Sequence, residues 1–202
     1  MKHMRILIIF LLFLTSNTVK AGDLEEGISA FERGDIQSAI KFLKPEAEKG
    51  NSEFQYRLGL TYQWGKVPMD RNDAWKNPIE AFKWYKLAAD KSHTLAQCSL
   101  GILYEEGVGV PKDYEKSALY YQQSLNNGGK NCAAKALANL YKEGKGVKVN
   151  LISSYVLYNI DNSFESNKHR DYLENRMTKE QVNEAQRISR KCIDSNYKNC
   201  NF

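Results

Sequence analysis

Sustained alternation of apolar and polar residues is missing from this 202-residue chain, so it predicts no β-sheet. Metal and nucleophile chemistry is thinly supplied. Of three histidines, only His93 and His169 lie beyond the leading segment. There is no C-x-x-C pair, so the cysteine spacings do not suggest zinc. The G-x-x-x-x-G-K-[ST] phosphate loop is absent, as are G-x-S-x-G, S-D-N and K-T-G. Beyond one N-terminal run, no apolar stretch is long enough to cross a membrane. Excess charge is scarce too. The formal charge is +5, and setting aside Lys2, Arg5 and Lys20 of the leading segment leaves +2. That near-neutral balance gives no argument for a nucleic-acid partner.

What is present begins with the leading segment. Lys2 and Arg5 precede an uncharged apolar run, Ile6 to Leu14, and Val19-Lys20-Ala21 precedes Gly22. This pattern predicts a secretory signal peptide cleaved after Ala21, hence a periplasmic or secreted protein without stable membrane insertion after cleavage. No cysteine follows the apolar run, so nothing argues for a lipid anchor. Four cysteines remain: Cys98, Cys132, Cys192 and Cys200. In an oxidising compartment an even count suggests disulfides, with three possible connectivities. Cys192–Cys200, which closes a short loop, is the preferred pair. Cys98–Cys132 then follows by elimination, the alternative being two free buried thiols.

The chain repeats itself. Arg57 to Val67, Ser99 to Val110 and Ala136 to Val147 share one pattern: an apolar stripe, a tyrosine and a glycine turn. Tyr62 to Tyr104 is a step of 42 residues and Tyr104 to Tyr141 a step of 37. Periods of this size predict stacked helical units. Helices are expected over 24–33, from Ile36 to about Pro45, and over 52–64, 79–90, 94–106, 114–126, 131–143 and 151–160. A kink or stop is expected at Pro45. Asp161 to Asn167 reads as a polar linker and 168–177 as a short helix. Thr178 to Gln181 matches a capping box opening a final amphipathic helix through Cys192. That helix is expected to cover the open end of the stack. The organisation is therefore a signal peptide over 1–21, a repeat array over 22–166 and a capping helix with tail over 167–202.

These residues resemble Sel-one-like repeats, a subfamily related to tetratricopeptide repeats, and the chain looks like an exported bacterial member of it. Leu100-Gly101-Ile102-Leu103-Tyr104 and Gly107-Val108-Gly109-Val110 match the first half of the family pattern. Glu80-Ala81-Phe82-Lys83-Trp84-Tyr85-Lys86-Leu87-Ala88-Ala89 matches the second. The resemblance implies an all-α fold, an α-solenoid wound as a right-handed superhelix from about four helix-turn-helix repeats. It further implies a non-catalytic scaffold or adaptor for another envelope or secreted protein, possible forms including immunity against a secreted toxin. The chain departs from the pattern at Ala138, which replaces a glycine, and at Ser154 and Leu157.

The candidate chemistry is sparse. Gly107-x-Gly109 and Gly144-Lys145-Gly146 follow helices rather than strands, which makes them helix terminators and not phosphate cradles. Ser38–Lys41 and Ser195–Lys198 are S-x-x-K tetrads without partner motifs. Asp70, Asn72 and Asp73 lack the glycine and final glutamate of a calcium loop. No cofactor is expected. The alternative reading is a cell-wall or β-lactam hydrolase of the cysteine-rich repeat type, but Leu125 and Asn126 stand near where such relatives carry a cysteine.

Tyr62, Trp84, Tyr85, Tyr104, Tyr120, Tyr121 and Tyr141 hold repeat-register positions and are expected in the core. Helical phase from Leu100 puts Thr94, Cys98, Ile102 and Glu105 opposite the core. Tyr56 and Leu60 correspond to them in one neighbouring repeat, Lys135 and Asn139 in the other. This strip, with Trp75 in the non-repeating linker, is the expected partner contact.

Overall fold

A computed structural model describes residues 22–65, 76–195 and 200. Every regular element among them is an α-helix. They are α1 (22–32), α2 (Ile36–Glu48), α3 (Ser52–Trp64), α4 (Pro78–Ala89), α5 (Thr94–Glu106), α6 (Tyr114–Asn126), α7 (Lys130–Glu143), α8 (Leu151–Asp161), α9 (Phe164–Glu174) and α10 (Lys179–Asp194). The leading segment 1–21 and Trp75 lie outside the described residues.

Local chemistry sets the boundaries. Asp35, Asn51, Asp113, Asn150, Ser163 and Thr178 each place a side-chain oxygen against a backbone N–H of the following first turn. Each cap satisfies a donor the helix cannot satisfy itself. Thr178 and Gln181 form the reciprocal capping box. At the other end, Gly107 (φ 74°) and Gly144 (φ 70°) take the left-handed conformation that stops α5 and α7.

Two expectations are corrected. Of the two effects expected at Pro45, the stop does not occur: α2 runs on to Glu48. Leu43, Glu46 and Ala47 are buried on either side of Pro45, and burial of that stripe outweighs one missing donor. The linker expected over 161–167 is two residues long. Asn162 stops α8 with φ 49°, and Ser163 caps α9 immediately afterwards.

The chain divides into two compact units between Leu87 and Ala88. In the first, α2 packs on α3, and Leu43, Ala47, Phe54 and Leu58 form a core flanked by Leu24, Ile40, Tyr62 and Trp84. In the second, α5 packs with α6 and α7 with α8, while α8 also carries α9 and α10. The core of this unit runs continuously from Cys98 through Tyr121, Leu137 and Tyr158 to Leu173, Ala185 and Cys192. Two disulfides lie in it: Cys98 joins Cys132 across 6.2 Å between Cα atoms, and Cys192 joins Cys200 across 5.0 Å. The first ties α5 to α7, and the second holds Cys200 against α10.

Candidate interaction surface

Each repeat is closed by the same small set of bonds. The residue that caps the second helix of a pair donates its N–H to the carbonyl of the motif tyrosine in the first. Asn77 bonds Tyr62 at 2.8 Å, Asp113 bonds Tyr104 at 2.9 Å and Asn150 bonds Tyr141 at 3.0 Å. The longer second linker therefore leaves its ends pinned like the others. A glutamine early in the first helix adds a second tie, to the carbonyl of the preceding helix. Gln55 reaches Ala47 at 3.0 Å and Gln97 reaches Ala89 at 3.3 Å.

Tyrosine from the second helix crosses the first. A Cβ on Gly59 would stand 2.6 Å from the Tyr85 ring, and one on Gly101 would stand 2.5 Å from Tyr121. No side chain fits there, which is why glycine is used. The hydroxyls then find acceptors on the same helix: Tyr85 donates to Gln63 at 2.6 Å and Tyr121 to Glu105 at 2.7 Å. Burial first, and then Glu105, push the Tyr121 phenol far above its ordinary range. In the third joint Lys142 stands where Gln63 and Glu105 stand, and it has no acceptor. Tyr158 donates instead to Asn139 at 2.5 Å.

The aromatic residues expected in the core separate into two sets. Tyr85 and Tyr121 are fully buried, with Tyr158 beside them in the same role. Tyr62, Trp84, Tyr104, Tyr120 and Tyr141 are only half-buried. Tyr104 and Tyr120 stack on each other with centroids 5.7 Å apart. The motif tyrosine contributes its carbonyl to the joint, so its ring is left at the edge of the core.

The expected contact strip is largely occupied by the protein itself. Cys98, expected opposite the core, is completely buried, and Ile102 packs against the same core. The reason is the stack: the face that α5 turns away from α6 is covered by α7. Glu105 and Asn139 are the tyrosine acceptors, and Asn139 also accepts from Lys142 at 3.3 Å. Lys135 pairs with Glu165 at 2.8 Å; this contact raises the lysine pKa and lowers that of the glutamate. Tyr56 is half-buried 5.8 Å from the Tyr85 ring, and desolvation raises its pKa. Leu60 lines a cleft of about 110 Å³ with Ile28, Phe31, Leu43 and Arg57. Tyr56, Leu60, Ile102, Glu105, Lys135 and Asn139 are all half-buried. Ser38, of the first S-x-x-K tetrad, belongs to the Asp35 cap, and Lys198 of the second lies outside the described residues. Among the described residues no group of three or more His, Cys, Asp or Glu side chains could hold a metal ion, and no helix is long and apolar enough to cross a membrane.

Helix pairs closed by recurring bonds at a fixed register define an α-helical repeat protein. The Sel1 repeat matches residues 52–93, 94–129 and 133–159, together just over half of the chain. The chain belongs to the Sel1 repeat family. It is similar to a Sel1 repeat protein from Oxalobacter formigenes, at 28% identity and a TM-score of 0.57 over 65% of this chain and 53% of that one. A protective antigen of uropathogenic Escherichia coli strains, described as displaying an SLR fold, shares the fold. It aligns at 22% identity with a TM-score of 0.56, over 83% of this chain and 45% of that one. Among curated proteins, the ERAD-associated E3 ubiquitin-protein ligase component HRD3B of Arabidopsis thaliana is 32% identical over 57% of this chain. The chitin synthase regulator SKT5 of Malassezia restricta is 23% identical over 52%. This chain spans 17% and 10% of the lengths of those two relatives.

Proposed function

We propose that this protein is a non-catalytic scaffold that binds another protein in the bacterial envelope. The observation that carries the reading is the run of three Sel1 repeats over 52–159. Two curated relatives similar to this chain are named for acting with other proteins, one a ligase component and one a synthase regulator. Export is supported by the charged, apolar and small-residue order of residues 1–21 and by two disulfides, which persist in oxidising compartments. Immunity against a secreted toxin is one form of such binding.

Capture from an envelope extract, followed by reconstitution from purified components, tests this reading. A single protein that co-elutes with the chain in fixed ratio supports it; an extract that yields none overturns it. Turnover of nitrocefin or muropeptides that disappears in Ser38→Ala would establish the hydrolase instead. Mass spectrometry of the exported protein is expected to find Gly22 at the N-terminus. An uncleaved chain in the cytoplasm would refute the envelope assignment.

A further inference from the structure

α9 follows the last matched repeat, which ends at residue 159. Only Ser166 and Leu173 of its residues are buried. Its contacts with α8 include four side-chain ties: Tyr155 donates to Glu174 at 2.7 Å, Arg170 to Asn159 at 2.5 Å and Ser166 to Asp161 at 2.6 Å, and His169 stacks on Tyr158 at 5.0 Å. With the inner side so engaged, the opposite side carries Phe164, Lys168 and Tyr172 at four-residue spacing, which forms one stripe along a helix. Arg176 follows just past the helix end. Phe164 is 76% exposed and Tyr172 51%. Each ring is covered in part by the next cation. Lys168 stands 4.5 Å from the Phe164 centroid, and Arg176 lies 5.5 Å from the Tyr172 centroid and donates to its hydroxyl at 2.9 Å. The stripe runs into a concavity of about 480 Å³ lined by Lys142, Glu143, His169, Tyr172 and Arg176.

The charges around it are unequal in how they are satisfied. Glu143 is bonded by Lys145 at 2.7 Å and Glu165 by Lys135 at 2.8 Å. Lys142, Lys168 and Arg176 make no ion pair among the described residues. Asp171 stands exposed on the same stripe, three residues after Lys168, so three cations outnumber one carboxylate beside the two exposed rings. Arginine and aromatic side chains are also those that anchor interfaces.

We propose that the outer face of α9 and its adjoining concavity dock an acidic segment of a partner protein. Carboxylates of that segment seat against Lys142, Lys168 and Arg176, and an apolar side chain covers Phe164 and Tyr172. A segment fits better than a continuous anionic bilayer, because its side chains can enter the concavity beside Lys142 and Arg176, whereas a planar surface spans it. The inference rests on the scaffold reading and names where and by what chemistry the partner is held.

The test uses the full exported chain and a short fluorescein-labelled peptide of alternating Glu and Phe. Fluorescence anisotropy is expected to show binding that weakens with added salt. The Lys142→Ala, Lys168→Ala, Arg176→Ala triple variant is expected to bind at least roughly tenfold more weakly, and Phe164→Ser to weaken binding as well. Phe164, Lys168 and Arg176 are exposed and Lys142 is half-buried, so unchanged thermal melting verifies the fold of each variant. Equal binding by variant and parent overturns the proposal. So does no binding of the peptide, full displacement by millimolar inorganic phosphate, or attachment to phosphatidylglycerol vesicles in place of the peptide. A monomer–dimer equilibrium abolished by Phe164→Ser would assign the face to a second copy and also overturn it. Envelope capture separates this inference from the one beneath it. A partner retained equally by parent and triple variant sinks the α9 surface and leaves the scaffold; no partner for either sinks the scaffold.

Discussion

The joints between α5 and α6 and between α7 and α8 follow the same register and place a buried tyrosine in the same position, yet they hold it differently. In the first, Gly101 clears the path of the ring and Glu105, one turn further on, receives the hydroxyl. In the second, Ala138 stands in the glycine position, fully buried, and its carbonyl accepts from Ser154 at 2.8 Å. Tyr158 turns back to Asn139, because Lys142 holds the place of Glu105. Burial fixes the ring in both cases. The acceptor is whichever suitable side chain lies within reach, since a buried hydroxyl without one is costly. A change in repeat pattern is thus tolerated when a neighbour supplies the lost function.

The strongest way to break the comparison is to uncouple the two joints. Cys98 and Cys132 tie α5 to α7 across a sequence separation of 34. Cys98→Ser with Cys132→Ser is expected to cost about 4 kcal/mol in urea unfolding, on loop entropy alone. Cys192→Ser with Cys200→Ser, across a separation of 8, is expected to cost about 2.5 kcal/mol. A larger loss from the C-terminal pair would contradict this order.

Exchanging the small residues comes next. Gly101→Ala is expected to destabilise by about 1–3 kcal/mol through the clash with Tyr121. Ala138→Gly is expected to lose about 0.5–1 kcal/mol, from helix propensity and a lost buried methyl. If alanine at 101 stabilises the protein, the close approach of Tyr121 is not what requires glycine.

The acceptors sharpen the point further. Glu105→Ala and Asn139→Ala are each expected to cost about 1–2 kcal/mol of stability, whereas Glu105→Gln keeps an acceptor and costs less. Stability unchanged in both alanine variants, with partner binding lost, would return Glu105 and Asn139 to the contact strip.

The smallest effect is a titration confined to the second joint. His169, stacked on Tyr158, has its pKa lowered, first by burial and then by Lys142, with Lys135 adding to it and Glu165 and Glu143 opposing. A lowered folded pKa means that the unfolded chain binds the proton more readily. Stability is therefore complete above the ordinary histidine value of 6.5 and declines as pH falls below it, towards the folded pKa. The urea midpoint is expected to fall slightly between pH 7 and pH 5, and Lys142→Ala to reduce that fall. A midpoint that rises on acidification would reverse the sign.

Much of the fold was legible because it is local. Residues 52–64, 94–106 and 114–126 are helices with the bounds expected of them. Their stops and caps are single residues, Gly107 and Asp113 among them, whose effect does not depend on distant chain. The beginning of α9 was legible too but was passed over: Ser163 before Phe164-Glu165 is a cap signal, hidden by the polar residues around it. The contact strip was not legible. Helical phase identifies the face opposite Leu100, but it cannot say that another helix lies there, and so Cys98 and Ile102 read as outward. The tyrosine acceptors were out of reach for a related reason, since Tyr85 and Gln63 are 22 residues apart and no spacing rule links them.

The sequence by itself determined the repeat period, the helix ends within the matched repeats and the family. Caps, positive-φ turns and apolar stripes act within a few residues, and their recurrence needs no partner to be seen. Only the tertiary structure decided which faces remain available. It buried Cys98 and partly covered Ile102 by packing α7 against α5, and it left the ring-and-cation stripe of α9 exposed. Exposure is a property of what covers a residue, and the covering helix lies in another repeat.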